Sequence, residues 1–168
     1  VETEDNGDTS TADTLTSGNP IKGQLSSIND MDVYSIVTTS TGTIDIDFDS
    51  PINNPYTDYF TIILSDGINT ISSQKTGVDT SFSAGVEAGT YYVFVDPASD
   101  YSFNDEEYSL TATSSLGDTS GVETEDNGDT STADTLTSGN PIKGQLSSIN
   151  DMDVYSIVTT STGTIDID

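Results

Sequence analysis

Cysteine, histidine and arginine are absent from this chain, and three lysines (Lys22, Lys75, Lys143) stand against 29 acidic residues, for a net charge of −26. Without cysteine there is no disulfide staple, no thiol nucleophile and no thiolate metal site. Without histidine and arginine the usual general base and guanidinium clamp are missing, so an enzyme is not expected. Without clusters of lysine and arginine there is nothing to hold nucleic acid or an anionic membrane surface. No apolar run approaches the roughly 18 residues of a membrane-spanning helix, so no membrane insertion is expected in this segment. Nor does its start resemble a signal peptide. The acid excess would attract divalent cations; the plainer alternative is that it keeps a crowded surface soluble, in high salt or otherwise.

What is present is a repeat. The segment from Val1 to Asp47 recurs without a single change from Val122 to Asp168, an offset of 121 residues. That period is the size of a globular domain, too long for a solenoid turn. The chain therefore reads as a window on a tandem array of near-identical domains. Arrays of this kind span distance or multiply weak contacts.

The apolar residues are few but patterned. Short runs rich in Thr, Ile, Val, Tyr and Phe, bounded by Gly, Asn, Asp and Ser, predict eight strands. They are Pro20–Leu25, Asp32–Thr38, Gly42–Asp49, Tyr59–Ser65, Asn69–Gln74, Val78–Ser83, Gly89–Asp96 and Glu106–Ser114. The third is the clearest, because Ile44, Ile46 and Phe48 alternate with Asp45, Asp47 and Asp49. Such alternation places one face in a core and the other in water. Tyr91, Val93 and Val95, then Tyr108, Leu110 and Ala112, are expected to face inward in the last two strands. Ser65–Gly67 (SDG) marks a turn. Only Ser10–Leu15 (STADTL) hints at a helical turn. Eight short strands without a long helix predict an all-β, antiparallel, jelly-roll-like β-sandwich. Residues 114–127, rich in Gly, Ser, Thr and acids, read as the linker between repeats.

A periodic sequence does not mark its own boundary. The simpler unit is 1–121, with 122–168 supplying the first three strands of the next repeat. The alternative unit is 48–168, in which neighbouring repeats exchange strands. An unpaired Gly163–Asp168 strand exposing Ile165 and Ile167 would be an awkward edge, which keeps the exchange open.

The segments ETEDNGDTSTAD, IKGQL and NDMDVYSI, followed in order by TIILSDG, SAGVEAGTYYVFV and EEYSLTAT, resemble the bacterial pre-peptidase C-terminal domain family. That family is related to the collagen-binding domains of clostridial collagenases. The resemblance covers nearly the whole period and implies a jelly-roll-like sandwich. It also implies a calcium site where the N-terminal acidic segment meets a later acidic loop. Carried over, Glu2, Glu4 and Asn6 match the E-x-E-x-N part, and Asp30 and Asp32 match the loop. Gly7 stands where a further oxygen ligand belongs, so Asp5 or Asp8 would have to replace it. The repeated copy duplicates the set at Glu123, Glu125, Asn127, Asp151 and Asp153.

Hard oxygen donors without His or Cys suit calcium in any case, and like charges so close together are costly unless a cation neutralises them. The spacing is not that of an EF-hand loop. The competing reading is a solvated acidic linker whose Asp and Asn cap turns. A second acidic group, Asp96, Asp100, Asp105, Glu106 and Glu107, could hold a cation or simply belong to a polar loop. Tyr91, Tyr92, Tyr101 and Tyr108 could form a strip for carbohydrate or peptide, or serve as core.

These readings converge on a calcium-stabilised structural repeat of a large extracellular or cell-surface protein, a stalk segment of an adhesin or a fibre subunit. Its partners would be neighbouring identical repeats, engaged by strand exchange in one version. The other expectation is a module binding a matrix polymer such as collagen-like peptide or polysaccharide, or an accessory domain of a secreted protease.

Overall fold

Two β-sheets account for almost all the regular structure, and both come from the first copy of the repeat. The computed structural model describes residues 1–117, 121–146 and 150–167. Nine strands lie in the first of these spans: β1 (Asp13–Thr14), β2 (Ile21–Gly23), β3 (Asp32–Thr38), β4 (Gly42–Asp49), β5 (Phe60–Ser65), β6 (Thr70–Thr76), β7 (Thr80–Val86), β8 (Gly89–Pro97) and β9 (Tyr108–Leu116). One sheet has the order β1-β3-β8-β5-β6 and the other β2-β9-β4-β7. Every pairing is antiparallel except β1 with β3. The chain is thus the all-β sandwich that the strand pattern predicts.

The alternation in β4 does what it promised. Ile44, Ile46 and Phe48 are buried, while Asp47 and Asp49 face solvent. Tyr108, Leu110 and Ala112 on β9 lie on the same inner face. Opposite them stand Tyr34 and Ile36 of β3, Phe60, Ile62 and Leu64 of β5, and Tyr91, Val93 and Val95 of β8. Phe48, Phe60 and Tyr108 close the middle, with ring centroids 5.1 to 5.9 Å apart. Each such aliphatic or aromatic side chain contributes about 1.5–3 kcal/mol by leaving water.

Between β5 and β6 the predicted turn is held by Asp66, whose Oδ1 accepts from the amides of Ile68 and Asn69, both at 2.7 Å. Gly67 takes φ 92° there, a value that side chains disfavour. The helical turn expected over Ser10–Leu15 does not form. Asp8 instead caps a short turn through the Ser10 amide at 2.6 Å, and Asp13–Thr14 then pairs with Tyr34–Ser35 as β1. A distant strand offered those residues more hydrogen bonds than a single isolated turn could.

The second copy repeats the beginning of this arrangement on a smaller scale. Its strands are β10 (Asp134–Thr135) and β11 (Tyr155–Ser156), paired in parallel in the register of β1 and β3. Three longer strands were expected here. In the first copy β2, β3 and β4 are extended by β9, β8 and β7, and the second copy has no counterparts of these within the 168 residues. Ile165 and Ile167 are exposed, and Asp168 lies outside the described residues. Of the expected linker, Ser114–Leu116 belongs to β9 and 118–120 lies outside the described residues. Among the described residues, no helix is long and apolar enough to cross a membrane.

Candidate metal centre

The N-terminal arm, residues 1–8, has no strand of its own and is tied down by backbone hydrogen bonds. The Glu2 amide donates to the Lys22 carbonyl at 2.9 Å, the Thr3 amide to the Asp13 carboxylate at 2.6 Å, and the Val33 amide to the Asn6 carbonyl at 3.0 Å. Between these anchors Asp5 takes φ 70°, the left-handed region that Asp tolerates better than most residues. The loop before β3 is closed by Asp30, whose Oδ2 accepts from the Ser26 amide at 2.6 Å. Asp32 then opens β3 with no exposed surface.

These elements bring Glu4, Asp30 and Asp32 together, with one carboxylate oxygen from each lying within 4.8 Å of the others. Asp32 is the centre of the group. Its Oδ2 accepts from the Tyr108 hydroxyl at 2.5 Å, and its Oδ1 is buried without a protein partner. Burial, assisted by the charges of Glu2, Asp30 and Glu4 and opposed by the Tyr108 hydrogen bond, pushes its carboxyl up to about 8. Glu4 is also raised, by burial and then by the charges of Asp30 and Glu2. Buried acceptors without donors are rare in folded proteins and ask for a ligand or water to complete them.

Glu2 is occupied differently. One oxygen accepts from the Gln24 amide at 2.7 Å, the other from the Tyr34 hydroxyl. The Tyr34 and Tyr108 hydroxyl oxygens lie 2.6 Å apart, so Glu2, Tyr34, Tyr108 and Asp32 form one continuous polar chain, and a proton on the Asp32 carboxyl completes its hydrogen bonding. Asn6 is buried and directs its amide toward Glu2 at 3.5 Å.

The second copy builds the same cradle from its own residues. The Glu123 amide donates to Lys143, the Thr124 amide to Asp134 and the Val154 amide to Asn127, each bond matching one in the first copy. Here the converging carboxylates are Glu123, Glu125 and Asp153, again within 4.8 Å of one another. No counterpart of Tyr108 lies within the 168 residues, and the Glu123 side chain hydrogen-bonds Asp153 instead. Burial, with the charges of Asp151 and Glu123, raises Glu125 to about 7; burial, then Glu123 and Asp151, raises Asp153 to about 6. Glu125 Oε1, Asn127 Oδ1 and Asp153 Oδ1 are all buried without a protein partner. Neither triad holds all four expected carboxylate positions: Glu2 lies outside the first and Asp151 outside the second.

The donors are all hard oxygens, and several lack a proton donor. Such a set fits calcium, which takes six to eight oxygens, rather than a metal that prefers nitrogen or sulfur. Asp5 and Asp8 stay apart from it. Asp5 sits exposed at the bend of the arm, and Asp8 is held below the usual carboxylate range by the Ser10 hydroxyl and amide. Asp129 does the same with Ser131.

Two other sequence-based candidates do not assemble. Tyr91 and Tyr108 are core, while Tyr101 is exposed, so the four tyrosines make no common strip. The alternation of β8 and β9, which turns Tyr91 and Tyr108 inward, decides this. In the acidic loop Glu107 pairs with Lys22, and Asp105 accepts from the Gln24 side chain at 2.6 Å through its backbone carbonyl. Those five acids form no carboxylate triad among the described residues.

The hydroxyls of Tyr34, Tyr108 and Tyr155 and the arm anchors Asp13 and Asp134 were not picked out by sequence reasoning. For Tyr34 a signal existed: it follows Asp32 by two residues in a strand and so shares its face.

No family model and no curated protein matches the chain. Among solved structures it is similar to the pre-peptidase C-terminal domain of a collagenase from Bacillus anthracis. The identity is 26%, the match covers 61% of this chain and 94% of that one, and the TM-score is 0.46.

Proposed function

We propose that the chain is a calcium-stabilised, non-catalytic structural repeat of an extracellular protein, serving as a stalk or fibre module. The observation that carries this reading is a carboxylate triad in each copy, Glu4–Asp30–Asp32 in the first and Glu123–Glu125–Asp153 in the second, each with at least one buried oxygen that no protein donor satisfies. Glu4 (Glu125 in the second copy) comes from the arm that leads in from the preceding repeat. Asp30 and Asp32 (Asp151 and Asp153) belong to the domain body. A cation between them would neutralise the cluster and tie the arm to the body, turning a flexible string of domains into a stiffer rod.

The magnitude is sufficient to matter. Where free calcium exceeds its dissociation constant a hundredfold, binding adds about 2.7 kcal/mol to stability. The whole of a typical domain's stability is about 5–15 kcal/mol.

Calorimetric titration of the 168-residue chain with calcium tests the reading. Saturable binding that is abolished when Glu4→Gln and Glu125→Gln are combined supports it. The absence of saturable binding removes it.

A further inference from the structure

Strand β7 forms one edge of the four-stranded sheet and carries no charged residue in its sequence TSFSAGV. Open edges are ordinarily blunted by charge, proline or a covering segment, because their free amides and carbonyls recruit other strands. Here the cover comes from the second copy. The Gly85 amide donates to the Glu123 carbonyl at 3.0 Å, and Gly85 and Thr124 form a parallel bridge. Strand β6, at the edge of the other sheet, also reaches the second copy: Ser72 Oγ donates to Gln145 Oε1 at 2.6 Å, and Gln145 Nε2 donates to the Ser73 carbonyl at 2.9 Å.

Gly85 itself is informative. Its backbone is not in the left-handed region, so its own strand has no need of glycine. A Cβ added there would overlap the Glu123 carbonyl and crowd Thr124 Oγ1; the nearest atoms it would meet all belong to the second copy. Glycine inside a strand weakens it and commonly marks the close approach of another backbone.

Glu123 also faces two ways at once. Its amide serves its own copy by donating to Lys143 at 3.0 Å, while its carbonyl serves the preceding copy. Glu2 makes the same inward bond to Lys22, so docking leaves that anchor of the arm in place.

We propose that the β7 edge, centred on Gly85, is the docking surface for the N-terminal arm of the next identical repeat. Each arm adds as a short parallel strand to the four-stranded sheet of the repeat before it. The joint is made by backbone and neutral side chains and needs no cation. It rests on the tandem-array part of the proposed function and not on calcium.

Amide hydrogen exchange measured by NMR on the 168-residue chain, in chelator and again in calcium, tests it. The Gly85 amide is expected to exchange at least about tenfold more slowly than an unstructured amide in both conditions. Gly85→Ala should return the amide at position 85 to the unstructured rate while Ile46 in the central strand β4 keeps its protection. A Gly85 amide that exchanges at the unstructured rate in the unmodified chain overturns the proposal, whatever the variant does. So does an alanine amide that stays protected in the variant. Protection in chelator combined with absent calcium binding would leave the joint standing and remove the metal reading alone.

Discussion

The Tyr108 hydroxyl donates to Asp32 Oδ2 at 2.5 Å, linking residues 76 positions apart. Strand β9, late in the repeat, thereby holds the buried carboxylate at the head of β3. The acidic cradle is consequently coupled to the last strand of the sandwich as well as to the arm. Replacing Tyr108 by Phe keeps the ring in the core and removes the hydroxyl, leaving both oxygens of Asp32 buried without a protein partner and breaking the contact with Tyr34. Denaturant unfolding in chelator should show a loss of about 1–3 kcal/mol, as expected when a buried acceptor is stripped of its partner. Calcium should recover part of that loss.

The carboxyl of Asp32 supplies a pH signature. Unfolded, it ionises near 3.8; in the folded chain burial and neighbouring acids raise it to about 8. Between those values the folded chain keeps a proton that the unfolded chain has released. The contribution of this carboxyl to stability in chelator is therefore greatest below about pH 4, falls as pH rises through the interval, and levels off above about 8. Glu125 at about 7 and Asp153 at about 6 act in the same direction. Calcium requires ionised ligands, so it should flatten this slope and bind more tightly at pH 8 than at pH 5. Melting curves across that range, with and without calcium, check both statements.

Two acids only four residues apart should behave differently. Glu4 belongs to a triad, whereas Asp8 caps a turn through Ser10. Glu4→Gln should weaken calcium binding at the first-copy site by at least about tenfold, because charge count sets calcium affinity. Asp8→Asn should leave it unchanged. Titration of each variant in a Glu125→Gln background, which silences the second site, makes the comparison direct.

The sandwich was readable where alternation was strict. Asp32–Thr38 and Gly42–Asp49 match β3 and β4 residue for residue, because their apolar period leaves one choice of face. Boundaries drifted where polar residues carry the ladder, as in β6 and β7, whose ends are set by cross-strand partners. The parallel β1 was invisible for the same reason: Asp13–Thr14 has no apolar signal and is ordered by Tyr34–Ser35. In the acidic cradle the carboxylates that meet had been named through the resemblance, and the tyrosine chain that supports them had not. Tyr34 and Tyr108 meet only after β3 and β9 enter opposite sheets. The division of labour between Glu2 and Glu4 depends on that meeting, so no local pattern could contain it.

The account stands on calcium holding the arm to the domain body. Calorimetric unfolding of the 168-residue chain in millimolar calcium and in chelator tests this most directly. A clearly higher melting temperature in calcium, lost when Glu4→Gln and Glu125→Gln are combined, is the predicted result. Equal melting temperatures in the two conditions would contradict it.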